Sequence, residues 1–221
     1  MQLIDLLVGF IRDGGPFMYP ILFVGAIASA VGAERLIKLM RVRRANQKMW
    51  DKLHPVLVDA DFDTAREMTA SDSSTVSQLL SLGLEREGTV RRREDIEIAM
   101  EEGMMEIIPQ LEKRTAYIAL FANVATLLGL LGTILGLIAA FSAVASANPA
   151  EKADLLSASI SVAMNTTAFG LMVAIPLLIL HAYLVARTGE IVDSLEMASV
   201  KTLNVISRHA KRQHESLKPA A

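Results

Sequence analysis

The chain has 221 residues, 52% of them hydrophobic, and its 22 Lys and Arg nearly balance its 24 Asp and Glu to give a net charge of −2. It has no cysteine and only four histidines, and it lacks the Gly-x-Ser-x-Gly, His-Glu-x-x-His and phosphate-binding glycine motifs of common enzyme classes. We therefore expect no enzymatic activity, no bound metal, no cofactor and no nucleic-acid partner.

The first predicted element is a membrane span near the N-terminus. Residues 14–33 carry no charge, and about 20 helical residues cross a bilayer core of about 30 Å. A signal peptide would have a basic segment before its apolar run and a cleavage site after it, and neither is evident. We predict a retained transmembrane helix that Pro16 and Pro20 kink near its outer end.

The next block, residues 34–116, is predicted to be a helical domain. Acidic residues at 59–63 favour a helix start through capping and the helix dipole. Apolar residues then recur at helical spacing, at Val76, Leu79, Leu80, Leu84, Ile96, Met100, Met104, Ile107 and Leu111. Because Pro109 would kink a helix rather than end it, we predict one long helix that runs from about Val90 into the second span.

Two further spans follow. Residues 115–150 contain no charged side chain, and residues 155–186 contain no Asp, Glu, Lys or Arg and only one histidine, His181. Membrane helices pack through small residues, because lipid provides no hydrophobic force to drive helices together. Such a stripe is formed by Ala125, Gly129, Gly132 and Gly136, with the hydroxyl of Thr133 inside it. The second span is therefore predicted to pack closely against other helices.

The basic residues predict the orientation. Of the 22 Lys and Arg, 14 lie between Glu34 and Tyr117 and 6 lie from Arg187 onward, which the positive-inside rule assigns to the cytoplasm. The N-terminus is then periplasmic, and the C-terminal tail is cytoplasmic and extends the third span as a helix. Apolar residues in that tail recur at Ile191, Leu195, Ala198, Leu203 and Ile206.

We predict an all-α integral membrane protein with three transmembrane helices and long cytoplasmic helical extensions. Its predicted segments are an outer N-terminal segment at 1–15, transmembrane helix 1 at 16–33, a cytoplasmic helical domain at 34–116, transmembrane helix 2 at 117–145, an outer loop at 146–156, transmembrane helix 3 at 157–186 and a cytoplasmic tail at 187–221.

Two motifs carry a family resemblance. The sequence Gly-Leu-Leu-Gly-Thr-Ile-Leu-Gly at 129–136, followed by Ala-Phe-Gly-Leu-Met-Val-Ala-Ile-Pro at 168–176, resembles the paired signature of the ExbB/TolQ/MotA family. The similarity is close over about residues 115–186. Three spans with a cytoplasmic block after the first resemble ExbB and TolQ, whereas MotA-type subunits have four spans.

The resemblance implies an ion-conducting stator subunit of the bacterial inner membrane. It implies a ring-forming homo-oligomer, expected to be a pentamer, that surrounds a dimer of an ExbD/TolR-like single-span partner with a membrane aspartate. The assembly would convert proton or sodium motive force into work on an envelope machine, such as TonB-dependent import through a TonB-like rod. A TolQ-type envelope-integrity motor acting on a TolA-like rod and a passive membrane scaffold are the alternatives.

The chain departs from the family pattern at two positions. Val162 stands where ExbB and TolQ carry a third-span glutamate, and Thr126 stands where a proline is common. The second and third spans contain no carboxylate. Since a hydroxyl cannot cycle a proton near pH 7, the partner's aspartate would have to supply the acid–base group.

The second and third spans instead carry neutral oxygen ligands. Family position and spacing predict an ion pathway at Thr133, Thr167, Thr166, Asn165 and Thr126, and helix packing at Gly129, Gly132, Gly136, Gly170 and Pro176. For Thr126, and for Ser159 and Ser161 beside the pathway, the alternative is that the hydroxyl only bonds the backbone or joins helices, worth about 0.6 kcal/mol each. Whether a proton or sodium flows stays open; the family default is a proton, and the missing glutamate favours sodium.

Overall fold

The computed structural model describes residues 14–87 and 92–216, and within those ranges it is built from α-helices without strands. The helices are α1 (Met18–Val58), α2 (Phe62–Ala70), α3 (Thr75–Arg86), α4 (Arg93–Glu112), α5 (Thr115–Ser146) and α6 (Lys152–Ser216). Most of the predicted outer segment 1–15, the basic residue Arg91 and the last five residues of the predicted tail lie outside the described residues. The prediction of an all-α fold is confirmed.

Within the described residues, three helical stretches are long and apolar enough to cross a membrane. They fall within Met18–Val58, Arg93–Ser146 and Lys152–Ala210. These are the three spans that the charge-free runs predicted.

The prediction of a proline kink in the first span is wrong. Pro16 precedes α1, and Pro20 lies in its first turn, where a helix has no intrahelical partner for the backbone N–H. The N–H of Met18 donates to the Gly15 carbonyl at 3.2 Å in the turn before the helix, where Gly15 has a φ of 78°. The two prolines therefore mark the entry to the helix without bending it.

The prediction of one helix running from Val90 into the second span is also wrong. Helix α4 continues through Pro109, as expected, but it ends at Glu112. Lys113 caps it by donating its N–H to the Pro109 carbonyl at 3.0 Å, and Arg114 adopts a left-handed φ of 68°. A non-glycine residue in that region is unusual, and an ion pair from Arg114 to Glu34 at 3.0 Å accompanies the break between α4 and α5.

The chain divides into two compact units, which we call the span unit and the charged unit. The span unit comprises Met1–Arg35 and Arg114–Leu184, and the charged unit comprises Leu36–Lys113 and Val185–Ala221. In the charged unit, α3 packs against α2 and α4. The apolar residues that the sequence placed on one face of α3 and α4, from Val76 to Leu111, are buried there, which confirms the helical periodicity.

Capping residues set the starts of the short helices in the charged unit. The Asp61 carboxylate accepts the Thr64 N–H at 3.2 Å at the start of α2, as the acidic cluster predicted. Before α3, the Asp72 carboxylate accepts the Ser74 N–H at 2.9 Å and the Ser77 hydroxyl at 2.8 Å. These hydrogen bonds, chiefly those from Ser74, lower the pKa of Asp72 below its ordinary value. These bonds fix the loops that join α1, α2 and α3.

Helix α6 is continuous over 65 residues and contains Pro176. The sequence prediction that the tail extends the third span as a helix is confirmed up to Ser216. The predicted apolar residues of the tail, from Ile191 to Ile206, are buried in the charged unit.

Candidate functional site

The backbones of α5 and α6 come close together at a pair of glycines. A Cβ on Gly170 would lie 2.8 Å from the Ala125 carbonyl oxygen and 3.1 Å from Gly129 Cα. A Cβ on Gly129 would in turn lie 3.2 Å from the Thr166 carbonyl oxygen and 3.3 Å from Gly170 Cα. The two backbones therefore touch here. A Cβ on Gly170 would force a helix to shift, and one on Gly129 would require its neighbours to move by a few tenths of an ångström.

The stripe of small residues continues along α5. At Gly136 a Cβ would lie 3.0 Å from the Cβ of Ala163 on α6. At Gly132 it would collide with the methyl of Thr166 and lie 3.2 Å from Phe17 Cβ. The four glycines predicted as packing positions thus lie along a helix contact, whereas Pro176 lies farther along α6.

Next to the glycine pair, two threonine hydroxyls meet across the helix contact. The hydroxyls of Thr133 on α5 and Thr167 on α6 form a hydrogen bond with each other. Both also reach one carbonyl, that of Gly129, at 3.2 Å from Thr133 and 2.9 Å from Thr167, and Thr133 additionally lies 3.3 Å from the Ala163 carbonyl. Both threonines are half-buried.

This cluster has more acceptors than hydrogens. Each hydroxyl carries one hydrogen and two lone pairs, so two hydrogens serve two carbonyls and the mutual contact. The surplus is a set of neutral oxygens from two helices in one place. Such oxygens can replace part of the water shell of a small cation, or form a short hydrogen-bonded chain beside a protonated group brought by another chain.

Thr166 points to a different neighbour. Its hydroxyl is buried and lies 2.7 Å from the Gly14 carbonyl, in the turn that precedes α1, and 3.0 Å from the Val162 carbonyl of its own helix. Gly15 of the same turn would bring a Cβ to 3.1 Å from the Val162 side chain. Sequence reasoning missed this contact; the Gly14-Gly15 pair before an apolar run was the only local signal of a tight turn.

The remaining predicted pathway residues are separate from the threonine pair. The Thr126 hydroxyl bonds the Ala122 carbonyl of its own helix at 3.1 Å, the pattern of a helical threonine that satisfies itself. Asn165 is half-buried on α6. Of the five predicted pathway residues, the structure therefore brings together Thr133 and Thr167, and the roles of all five stay predictions.

Comparison with known proteins gives several similarities. The chain is 26% identical over 204 residues to a biopolymer transport protein ExbB homolog of Methanothermobacter thermautotrophicus. That match covers 86% of this chain and 67% of the relative. It is 32% identical over 111 residues to the biopolymer transport protein ExbB of Aquifex aeolicus, which covers 50% of this chain and 72% of that protein. A shorter match, 44% identical over 59 residues, covers 27% of this chain and 26% of the biopolymer transport protein exbB1 of Vibrio cholerae.

The family assignment rests on a match to a family sequence model. Residues 71–197 fit the sequence model of the MotA/TolQ/ExbB proton channel family. That range is more than half of the chain, and it contains α5, the glycine crossing and the threonine pair. With three apolar helical stretches of membrane-spanning length, the molecule is a multi-pass, all-α membrane protein, and the chain belongs to the MotA/TolQ/ExbB proton channel family.

Proposed function

We propose that this protein is an ExbB-like, ion-conducting stator subunit of the bacterial inner membrane. In this proposal it works with an ExbD/TolR-like partner to convert the proton or sodium motive force into mechanical work on an envelope machine, such as TonB-dependent import. Family membership supports the general role, and the names of the similar proteins support biopolymer transport.

The observation that carries the proposal is the Thr133–Thr167 pair. Two hydroxyls and the Gly129 carbonyl lie together beside the close glycine contact of α5 and α6. Packing alone does not require hydroxyls from both helices at one level, since the glycines already allow the close approach. The pair does provide oxygens from two helices to a passing ion.

The partner's role follows from what the two spans lack. Neither α5 between Thr115 and Ser146 nor α6 between Leu155 and Ala186 contains a carboxylate. A titratable group for a proton, or a full negative charge for sodium, would therefore come from an aspartate in the single helix of the partner. We propose a dimer of that partner, seated inside a ring of this chain.

We propose that the N-terminus is periplasmic and the C-terminus cytoplasmic. This orientation places the basic residues of 34–117 and of the tail in the cytoplasm, as the positive-inside rule requires. Adding a reporter enzyme that works only in one compartment to either terminus tests it.

We expect the purified chain to form a ring, with a pentamer as the predicted size. The exposed apolar faces of α5 and α6, which include Leu127, Leu130, Ile134, Met164 and Leu171, give neighbouring copies a surface to pack against. Native mass spectrometry of the detergent-solubilised protein is the measurement. A stable monomer or dimer would contradict the ring.

The dependence of activity on external sodium is predicted to identify the translocated ion. If sodium is translocated, activity rises and saturates with external sodium at fixed pH and membrane potential, and Thr167→Ala shifts the midpoint upward because one oxygen of the threonine pair is lost. If a proton is translocated, activity is unchanged when potassium or choline replaces sodium. Each result excludes the other ion as the obligatory one.

Two alternatives differ from this proposal in what they predict. A TolQ-type motor for envelope integrity, acting on a TolA-like rod, would use the same ion pathway, so loss of the chain would impair the envelope rather than nutrient import. A passive scaffold would need the glycine contacts but not the hydroxyls. The threonine pair favours a conducting subunit over the scaffold.

A further inference from the structure

A groove in the charged unit is lined by basic side chains. It lies between the end of α1, together with Ala60 just beyond it, and one face of α6, and it has a volume of about 420 Å³. Its lining residues are His54, Val58, Ala60, Lys201, Asn204, Val205, Arg208, His209 and Arg212. Five of these nine can carry positive charge, and none is acidic.

Three of the basic side chains lie on the same face of α6. Lys201, Arg208 and Arg212 are separated by seven and four residues on α6, so they lie along one helix face. The histidines form the inner wall: His209 packs edge-on against Phe62 at 5.3 Å between ring centroids, and His54 lies 5.1 Å from Trp50. Both histidines are half-buried, while Lys201 and Arg208 are exposed at the rim.

These cations differ from other basic residues of the same unit. Arg43, Arg66, Arg86 and Arg187 each form an ion pair with a carboxylate within the unit. Within the described part of the chain, Lys201, Arg208 and Arg212 form none. Lys201 instead lies 5.9 Å from the centre of the Trp50 ring, and the Arg208 Nε donates to the Asn204 carbonyl at 3.3 Å.

Backbone carbonyls at the end of α1 are already hydrogen-bonded. The N–H groups of Asp59, Ala60 and Asp61 donate to the carbonyls of Pro55, Leu57 and Val56. The Asp61 carboxylate caps α2 through Thr64. Like charges side by side on one helix face repel, and a bound anion would relieve that repulsion.

We propose that this groove binds a multiply charged, phosphate-type anion. Cations spread over 11 residues of a helix, about 16 Å at 1.5 Å per residue, fit a ligand with more than one anionic group better than a single phosphate. The guanidinium groups of Arg208 and Arg212 can bind phosphate oxygens in pairs, and Lys201 adds a point charge. This inference does not depend on ion conduction by the span unit.

The test is isothermal titration calorimetry, in which inorganic tripolyphosphate is titrated into the full-length protein in neutral detergent at constant ionic strength. We expect saturable binding of one anion per chain, which Lys201→Gln and Arg208→Gln each weaken roughly tenfold through the loss of a charge-assisted bond. Lys48→Gln is the matched control, since Lys48 is exposed on α1 and does not line the groove. Equal weakening by Lys48→Gln, or binding that survives both groove substitutions, would contradict the proposal, as would absence of saturable binding.

Two further arms complete the experiment. Because a ligand that binds only the folded state stabilises it, tripolyphosphate is expected to raise the unfolding temperature of the wild type and not of Arg208→Gln. Unchanged wild-type unfolding at saturating anion would overturn the proposal. A soluble short-chain phosphatidylglycerol identifies the source of the phosphate: competition with tripolyphosphate that depends on Arg208 indicates a lipid headgroup, and lack of competition indicates a soluble anion.

Discussion

Replacing Gly170 by alanine is expected to destabilise the packing of α5 against α6 by about 1–3 kcal/mol, the usual effect of forcing extra volume into a packed contact. The new Cβ would lie 2.8 Å from the Ala125 carbonyl oxygen and 3.1 Å from Gly129 Cα. Both are backbone atoms, so no side chain can rotate away to make room. One helix has to move, and the threonine contact beside the crossing separates with it.

Gly189 is the matched control on the same helix. A Cβ there meets nothing within 4 Å, so Gly189→Ala is expected to stabilise α6 by about 0.5–1 kcal/mol through reduced backbone entropy of the unfolded chain. Thermal unfolding in detergent, followed by far-UV circular dichroism, compares the two variants with the wild type. If Gly170→Ala unfolds at the wild-type temperature or above, the close crossing described for α5 and α6 is wrong.

Thr133→Val is expected to reduce the activity of the client machine to near that of cells without this protein. Valine keeps the shape of threonine but removes the hydroxyl that contacts Thr167 Oγ1, the Gly129 carbonyl and the Ala163 carbonyl. A hydrogen bond between membrane helices contributes only about 0.6 kcal/mol, so the variant is expected to fold and assemble. The loss would therefore be one of conduction. Complementation of a deletion strain, with protein amount and ring size checked in the same cells, is the measurement.

Two substitutions make that result specific. Thr133→Ser keeps the hydroxyl and is expected to retain most of the activity. Ser142→Ala removes an exposed hydroxyl of α5 that bonds only its own helix, at 2.9 Å from the Ile138 carbonyl, and is expected to behave as wild type. Wild-type activity in Thr133→Val, or equal loss in Ser142→Ala, would remove Thr133 from the pathway.

Periodicity and charge predicted most of the fold because each signal lies within one helix. The spacing of Val76, Leu79 and Leu84 defines one face wherever the helix packs, and that face is buried. Breaks were harder to predict. The turn at Arg114 depends on a left-handed residue and on an ion pair to Glu34, 80 positions earlier, and the nearby Pro109 lies inside α4 and does not mark the break.

The candidate site was predictable in part for a similar reason. Glycine and threonine types at family positions directed attention to Thr133 and Thr167, which the structure places in contact. Backbone carbonyls carry no sequence signal, so the Gly129 acceptor and the Gly14 partner of Thr166 could not be predicted. The basic groove joins residue 54 to residue 212, and only the fold brings such distant positions together.

Ion flux through the reconstituted complex tests the central claim most directly. Vesicles that contain this chain and an aspartate-bearing, single-span partner, with an imposed proton or sodium gradient, are compared with vesicles that contain either protein alone. We predict that the gradient collapses only when both chains are present. Vesicles with Thr133→Val, or with the partner's aspartate replaced by asparagine, are predicted to keep their gradient. A gradient that is retained with both wild-type chains, or that collapses equally in Thr133→Val, would contradict an ion pathway at the Thr133–Thr167 pair.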